Sequence, residues 1–370
     1  MAAGGYPPFP AGPGAADVNH AARWILLSDL HLDGSDSDPR HPGKVLPEFL
    51  RREVSATQPP GLEQHVIFVG DTFELVRLDE EQSLARLESI FKRHPETLGA
   101  LQACAAAGVR LHFVCGNHDV ELARPPVAAR LSALLSPGDP TRVSVHPWLL
   151  YVPGVLVVEH GHLHHALHRI PEVLRTAVNG TDEVDLPPLA AWHANPTASR
   201  LSRAGAVARA CVASERAERR VRRPAYDELL QTESLRLALD GTAVRELARL
   251  SRFRTVSALP VTATRMVLAA AGRNIHGGDQ PPAAAARVAG ILETYGSRVA
   301  WYVSAHTHRA LETTLEGSPT RYVNTGTWSS DVRGLGPDQA DRQAFPYAVI
   351  DVADDGSTEG GLRYWRPVAG

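Results

Sequence analysis

Short apolar runs alternate with amphipathic stretches over the first 160 residues, and an apolar run returns near residue 300. The apolar runs predict buried strands at 24–28, 66–69, 109–115, 155–159 and 299–305. Apolar residues at helical spacing predict helices at 45–54, 80–93, 96–107 and 126–135. Strands and helices that alternate through short connections indicate an α/β fold, in which ligand sites gather at the carboxyl ends of strands.

The pattern changes after residue 162 and divides the chain into three parts. Residues 163–297 are rich in alanine and arginine, and their spacing predicts a helical cap inserted into the fold. Residues 1–21 read as a flexible tail. Residues 22–162 together with 298–370 then form the main domain, with further strands predicted at 311–315, 321–323, 347–352 and 362–365.

Each of the five apolar runs ends in residues that bind metals. The residues at these ends are Asp29 and His31, Asp71, Asn117 and His118, His160 and His162, and His306 and His308. Any one of them alone is more often a cap or a loop residue, but five such clusters at five strand ends indicate a common site. Nitrogen and oxygen donors without cysteine suit Mn, Fe, Zn, Co or Ni. Because the set exceeds what one ion needs, we expect two divalent metal ions.

Composition limits the expected partners and the expected cellular compartment of the protein. The chain has 370 residues and a formal net charge of −3, which does not favour nucleic acid or a membrane surface as partner. The three cysteines are widely spaced and predict no disulfide framework, as in a reducing compartment. We find neither a signal peptide nor an apolar run of about 18 residues, so the chain is expected to be cytoplasmic, without a transmembrane segment.

The ordered motifs carry a family resemblance. They are Asp-Leu-His at 29–31, Gly-Asp at 70–71, Gly-Asn-His-Asp at 116–119, His-Gly-His at 160–162 and His-Thr-His at 306–308. This set resembles the calcineurin-like metallophosphoesterase superfamily. The resemblance implies a four-layer αββα sandwich and a dinuclear centre, with Mn as first choice. It also implies that a hydroxide between the two ions attacks phosphorus.

The same resemblance implies a role for each motif residue. One metal would be bound by Asp29, His31 and His308, the other by Asn117, His160 and His306, and Asp71 would bridge both. His118 would stabilise the transition state or protonate the leaving oxygen. Asp119 would orient His118, since a carboxylate commonly fixes an imidazole tautomer.

Substrate contacts are expected around the cap. His162 is a candidate contact, and so are Arg219 and Arg220, although the arginine-rich stretch also fits a solvated helix face. Glu74 is a candidate for holding a ligand in place, and its segment resembles that of the UDP-2,3-diacylglucosamine pyrophosphohydrolases. The expected reaction is hydrolysis of a phosphomonoester or pyrophosphate of a small organic phosphate or nucleotide. A phosphodiesterase or nuclease, and a non-catalytic metal-bound scaffold, are the alternatives.

Overall fold

A computed structural model describes the parts of the chain that form the predicted main domain. The described residues are 21–33, 41–55, 62–76, 78–147, 149–152, 154–162, 285–286, 289, 299–329 and 344–367. The expected tail lies outside them except for Ala21. The predicted cap also lies outside, with Arg219 and Arg220, except for residues 285, 286 and 289. Among the described residues, no helix has the length and apolar character needed to cross a membrane.

The described residues form eleven strands and four α-helices. The strands are β1 (Ala22–Leu27), β2 (Glu63–Val69), β3 (Arg110–Val114), β4 (Val143–His146), β5 (Leu149–Val152), β6 (Leu156–Glu159), β7 (Trp301–Ser304), β8 (Ala310–Thr314), β9 (Arg321–Thr325), β10 (Phe345–Val352) and β11 (Thr358–Trp365). The helices are α1 (Pro42–Phe49), α2 (Glu80–Arg93), α3 (Pro95–Ala106) and α4 (Pro125–Leu135). A π-helical turn, Leu50–Val54, continues α1.

The strands form two mixed sheets. The first has the order β11-β10-β1-β2-β3-β4, and the second has the order β5-β6-β7-β9-β8. Strands β1 to β4 run parallel to one another, as do β6, β7 and β9, whereas β5, β8, β10 and β11 pair antiparallel. The mixed α/β class predicted from the alternating pattern is therefore confirmed.

Two hydrophobic clusters hold these layers together. One joins the first sheet to the helices and includes Ile25, Phe68 and Leu131. The other joins the two sheets and includes Leu26 and Val303. Neighbouring residues of one strand, such as Ile25 and Leu26, enter different clusters because side chains alternate between the faces of a strand. The first sheet is thus covered on both faces, which explains its nearly continuous apolar strands.

Candidate metal centre

The predicted ligands sit where the strands end, on backbone of unusual conformation. Among the described non-glycine residues, five have a positive φ, between 49° and 69°: Asp29, His31, Asp71, His306 and His308. All five are predicted metal ligands. Aspartate and histidine visit this left-handed region more readily than most residues, at a cost of about 1–3 kcal/mol each.

One group of four side chains forms a possible metal site. Asp29, His31, Asp71 and His308 each offer a ligand atom, and these atoms lie within 4.8 Å of one another. His308 Nε2 lies 2.9 Å from Asp29 Oδ1, and His31 Nε2 lies 3.8 Å from Asp71 Oδ2. The structure therefore brings His308, from the end of the second sheet, to residues that follow β1 and β2 in the first.

A second group shares one member with the first. Asp71, His160 and His306 also offer ligand atoms within 4.8 Å of one another. His160 Nε2 lies 3.2 Å from Asp71 Oδ2, and His160 Nδ1 donates a hydrogen bond of 2.8 Å to the Val69 carbonyl. That bond places a proton on Nδ1 and fixes the orientation of the ring, so that Nε2 faces Asp71. Asp71 stands between the two groups, at the position predicted for a bridging carboxylate.

Asn117 has the features of an additional oxygen ligand. Its side chain is buried, and Oδ1 has no hydrogen-bond partner among the described residues. Its loop is held against Asp71, because the His118 N–H donates to Asp71 Oδ1 at 2.8 Å. A buried amide oxygen without a partner is costly unless a ligand satisfies it. The orphaned oxygen therefore suits the predicted role of Asn117.

Burial and charge keep the two central carboxylates ionised. Burial by itself raises the pKa of Asp29 and of Asp71. For Asp29, His308 and His160 outweigh burial and lower the pKa below its ordinary value. For Asp71, His160 and His118 lower the pKa well below that value. Two buried anions surrounded by imidazoles form a donor set that fits divalent cations.

Asp119 does not orient His118, contrary to our expectation. Its carboxylate accepts backbone N–H bonds from Thr72 and Gly116, both at 2.7 Å, and from Asp71 at 3.2 Å and Phe73 at 3.3 Å. Burial, together with the charge of Asp71, raises the pKa of Asp119 to about 6 despite these bonds. Asp119 therefore acts as a clamp on the loop that carries Asp71.

Glu74 is the carboxylate that contacts His118. Glu74 Oε1 lies 2.9 Å from His118 Nδ1, and Glu74 Oε2 lies 3.2 Å from His31 Nδ1. Burial raises the pKa of Glu74, but the bonds from both imidazoles outweigh it and lower the pKa to about 2. For His118 burial has the opposite effect and lowers the pKa, but the negative charges of Asp71 and Glu74 outweigh it and raise the pKa to about 9. One carboxylate thus fixes both a predicted ligand and the predicted proton donor.

His162 lies beside the second group. It is buried, and its ring centroid is 5.5 Å from that of His160 and 6.4 Å from that of His306. This places the side chain next to two predicted ligands, so the choice between a structural and a substrate role stays a prediction. Asp33, by contrast, belongs to neither ligand group, and its carboxylate lies 3.3 Å from His41 Nε2.

The end of β9 and the segment that follows it connect the loops of the two sheets. Asn324 Nδ2 donates to the Ala305 carbonyl at 2.8 Å and to Thr307 Oγ1 at 3.1 Å. Thr327 Oγ1 donates to the Asp29 carbonyl at 3.1 Å. The sequence predicts this stretch only as a structural turn. Its contacts with both ligand loops cannot be predicted from the spacing of residues in the sequence, because they depend on how the two sheets pack against each other.

Comparison with known proteins gives distant structural matches alone. No family model and no curated protein matches the chain. One similar solved structure is a phosphopantetheinyl hydrolase from Mycobacterium tuberculosis, with 15% identity and a TM-score of 0.30 over 87% of this chain and 95% of that one. Another is a candidate 5′-nucleotidase from Staphylococcus aureus in complex with alpha-ketoglutarate, with 9% identity and a TM-score of 0.35 over 95% of this chain. The alignment spans 55% of that second chain. Scores this low transfer no function.

Proposed function

We propose that this chain is a metal-dependent phosphoester hydrolase. Its substrate would be a phosphomonoester or pyrophosphate of a small organic phosphate or nucleotide. The observation that carries the proposal is the pair of ligand groups that share Asp71, built from the loops of both sheets. A single ion does not need this many donors, whereas two neighbouring cations that clamp a phosphoryl group do.

The donors fit two borderline divalent cations. Asp29, His31 and His308 would hold one cation, and Asn117, His160 and His306 would hold the other, with Asp71 shared. Imidazoles combined with oxygen donors suit Mn, Fe, Zn, Co or Ni better than Mg or Ca, and we propose Mn first. When bound, such a pair of cations activates water as a nucleophile and neutralises charge on the phosphoryl group.

The residues around the centre would orient the reactants and supply a proton. His118 holds its Nδ1 proton against Glu74, so its Nε2 proton is available to a phosphoryl or leaving-group oxygen. Asp119 would act on the position of Asp71 through the backbone N–H groups that it binds. His162, Arg219 and Arg220 would contact the rest of the substrate.

We extend the proposal to the fold and the setting. A fourth layer of helices, outside the second sheet, is supported by the burial of Tyr302, Ser304 and Tyr322. Since Trp301 and Val303 point into the core between the sheets, these three side chains belong to the opposite face, which must therefore be covered. The helical cap at 163–297 remains a separate part of the proposal. The free thiols of Cys104 and Cys115 suit a reducing cytoplasm.

The test measures metal content and activity together. Protein loaded with Mn²⁺ is expected to bind about two ions per chain and to hydrolyse p-nitrophenyl phosphate. Asp71→Asn should lower metal content and reduce turnover by at least about 100-fold, the upper end of what an outer-shell change costs. Asp351→Asn is the matched control, since this carboxylate pairs with Arg23, away from the centre.

Two results would contradict the proposal. One is loaded wild-type protein that cleaves neither p-nitrophenyl phosphate nor bis-p-nitrophenyl phosphate. The other is an Asp71→Asn variant with normal metal content and turnover. Faster cleavage of the diester than of the monoester would move the assignment to a phosphodiesterase.

A further inference from the structure

Arg124 is a buried cation without a counter-ion among the described residues. The residue is 3% exposed, and its Nε and Nη1 atoms are fully buried without a hydrogen-bond partner. No carboxylate among the described residues lies within 4.0 Å of the guanidinium, including that of Glu121, three residues earlier and also buried. An arginine cannot escape this situation by losing its proton, because the guanidinium stays charged in proteins.

Five other arginines among the described residues make a clear contrast. Each of the following pairs with a carboxylate although its side chain is 25% to 43% exposed: Arg23, Arg110, Arg130, Arg142 and Arg321. Arg124 is much more buried than these and has no such pair. A buried charge that lacks a partner in the protein is costly, so an anion from outside is the simplest counter-ion.

The backbone of Arg124 follows closely on the loop that carries the predicted ligand Asn117. Asp119, which holds the Asp71 loop, begins the 3₁₀ turn Val120–Ala123, and Arg124 ends that turn. At about 2 Å of rise per residue, the Arg124 backbone lies about 10 Å from that of Asp119. Arg124 is also the N-cap of α4, an 11-residue helix. The positive end of the helix dipole therefore adds to the charge of the guanidinium.

Backbone donors cannot replace the side chain at this helix terminus. The first two residues of α4 are Pro125 and Pro126, which have no N–H group. The third residue, Val127, offers a single N–H group, and the N–H of Ala128 already donates to the Arg124 carbonyl at 2.9 Å. An anion at this end of the helix would therefore depend on the Arg124 guanidinium for most of its hydrogen bonds.

We propose that Arg124 binds a phosphate-type oxyanion, and that this anion is the non-reacting anionic group of the substrate. The second half of the proposal rests on the function proposed above. Free inorganic phosphate has the same chemistry, so the experiment must separate the two sources.

The first arm measures anion binding without activity. In an Asp71→Asn background, which disables the metal centre, phosphate at about ten times its dissociation constant should raise the melting temperature by about 2 °C or more. Adding Arg124→Met should abolish this shift. Arg130→Met, on the same helix and paired with exposed Glu88, should leave it intact. If Arg124→Met does not fold, Arg124→Lys should retain the charge and part of the shift.

The second arm uses the Mn-loaded enzyme with an intact centre. ADP, which carries a second phosphate, is tested as an inhibitor of p-nitrophenyl phosphate hydrolysis. Arg124→Met should raise the inhibition constant of ADP about tenfold, the loss of roughly one charge-assisted hydrogen bond. The KM for p-nitrophenyl phosphate should change less than about twofold, which is below 0.5 kcal/mol.

The arms have distinct outcomes. A phosphate-induced shift that survives Arg124→Met overturns the anion site. A lost shift with unchanged ADP inhibition assigns the site to free phosphate and overturns the substrate half. A wild-type enzyme without phosphoesterase activity refutes the proposed function, while the first arm still decides whether Arg124 binds an anion.

Discussion

Lowering the pH is expected to destabilise the fold through three histidines, one on each of β2, β3 and β4, of which His65 and His112 are buried and His146 is partly exposed. His65 Nδ1 lies 3.0 Å from His112 Nε2, and His112 Nδ1 lies 3.2 Å from His146 Nε2. At one end of this histidine chain, His65 Nε2 lies 3.7 Å from the carboxylate of Glu63, which also pairs with Arg110. If every ring carries its proton on Nε2, all three are neutral and each N–H points towards Glu63.

The size of the effect follows from the pKa values. Burial lowers the pKa of His146 from 6.5 to about 4, and it also lowers the pKa of His65 and of His112. Between the folded and unfolded pKa values the unfolded chain binds more protons, so stability falls as the pH falls from about 6.5 towards 4. His146 alone would cost about 2 kcal/mol by pH 5 and about 3 kcal/mol by pH 4. Because His146 is partly exposed, these values are upper bounds.

The assay compares wild type with His146→Gln, whose amide keeps an N–H donor for His112 without a titratable group. Urea unfolding at pH 8 and pH 5, at equal metal content, gives the free energy of unfolding of each protein. Wild type should lose up to about 2 kcal/mol more than the variant over this interval. The metal-centre histidines are present in both proteins, so their contribution cancels. Equal losses in the two proteins would refute the reasoning.

Three further substitutions test the centre. Asn117→Ala should lower metal content and turnover together, and normal metal binding would remove Asn117 from the ligand set. Glu74→Gln should cut kcat about 10- to 100-fold and change the pH profile assigned to His118; an unchanged profile would reduce Glu74 to a packing role. Gly116→Ala should weaken metal binding and lower the melting temperature, because the new Cβ would lie 2.1 Å from Asp71 Oδ1. Unchanged metal binding and an unchanged melting temperature would show that the space between Gly116 and Asp71 is not as tight as the structure indicates.

Much of the fold follows from local sequence signals. Helix α2 has the predicted bounds, and a capping box of Asp79 and Gln82 fixes its start. Two strands, β4 and β5, fall where no strand is predicted. Each has four residues, and β4 exists because it pairs with β3 while His146 joins the histidine chain. Such short strands depend on pairing with distant strands, which the hydrophobic periodicity and the composition of the sequence do not predict.

The centre shows the same division between local and distant information. The motifs predict the ligand residues because each lies directly after an apolar run. They do not predict that Glu74, rather than Asp119, contacts His118, since Asp119 is adjacent to His118 in sequence whereas Glu74 lies 44 residues away. The choice depends on the backbone: the Asp119 carboxylate meets the N–H groups of Thr72 and Gly116, whereas Glu74 faces the two imidazoles.

The left-handed residues indicate that the protein itself sets the shape of the centre. In extended chain, Asp29 and His31 would share one side, but both here have a positive φ. Hydrogen bonds between loops impose this: Asp29 N–H donates to the Gly70 carbonyl at 3.1 Å, and His31 N–H donates to the Asp71 carbonyl at 2.9 Å. Strained backbone persists where the surrounding structure over-determines it. These backbone bonds between the two loops therefore help to set the positions of Asp29 and His31 relative to Asp71.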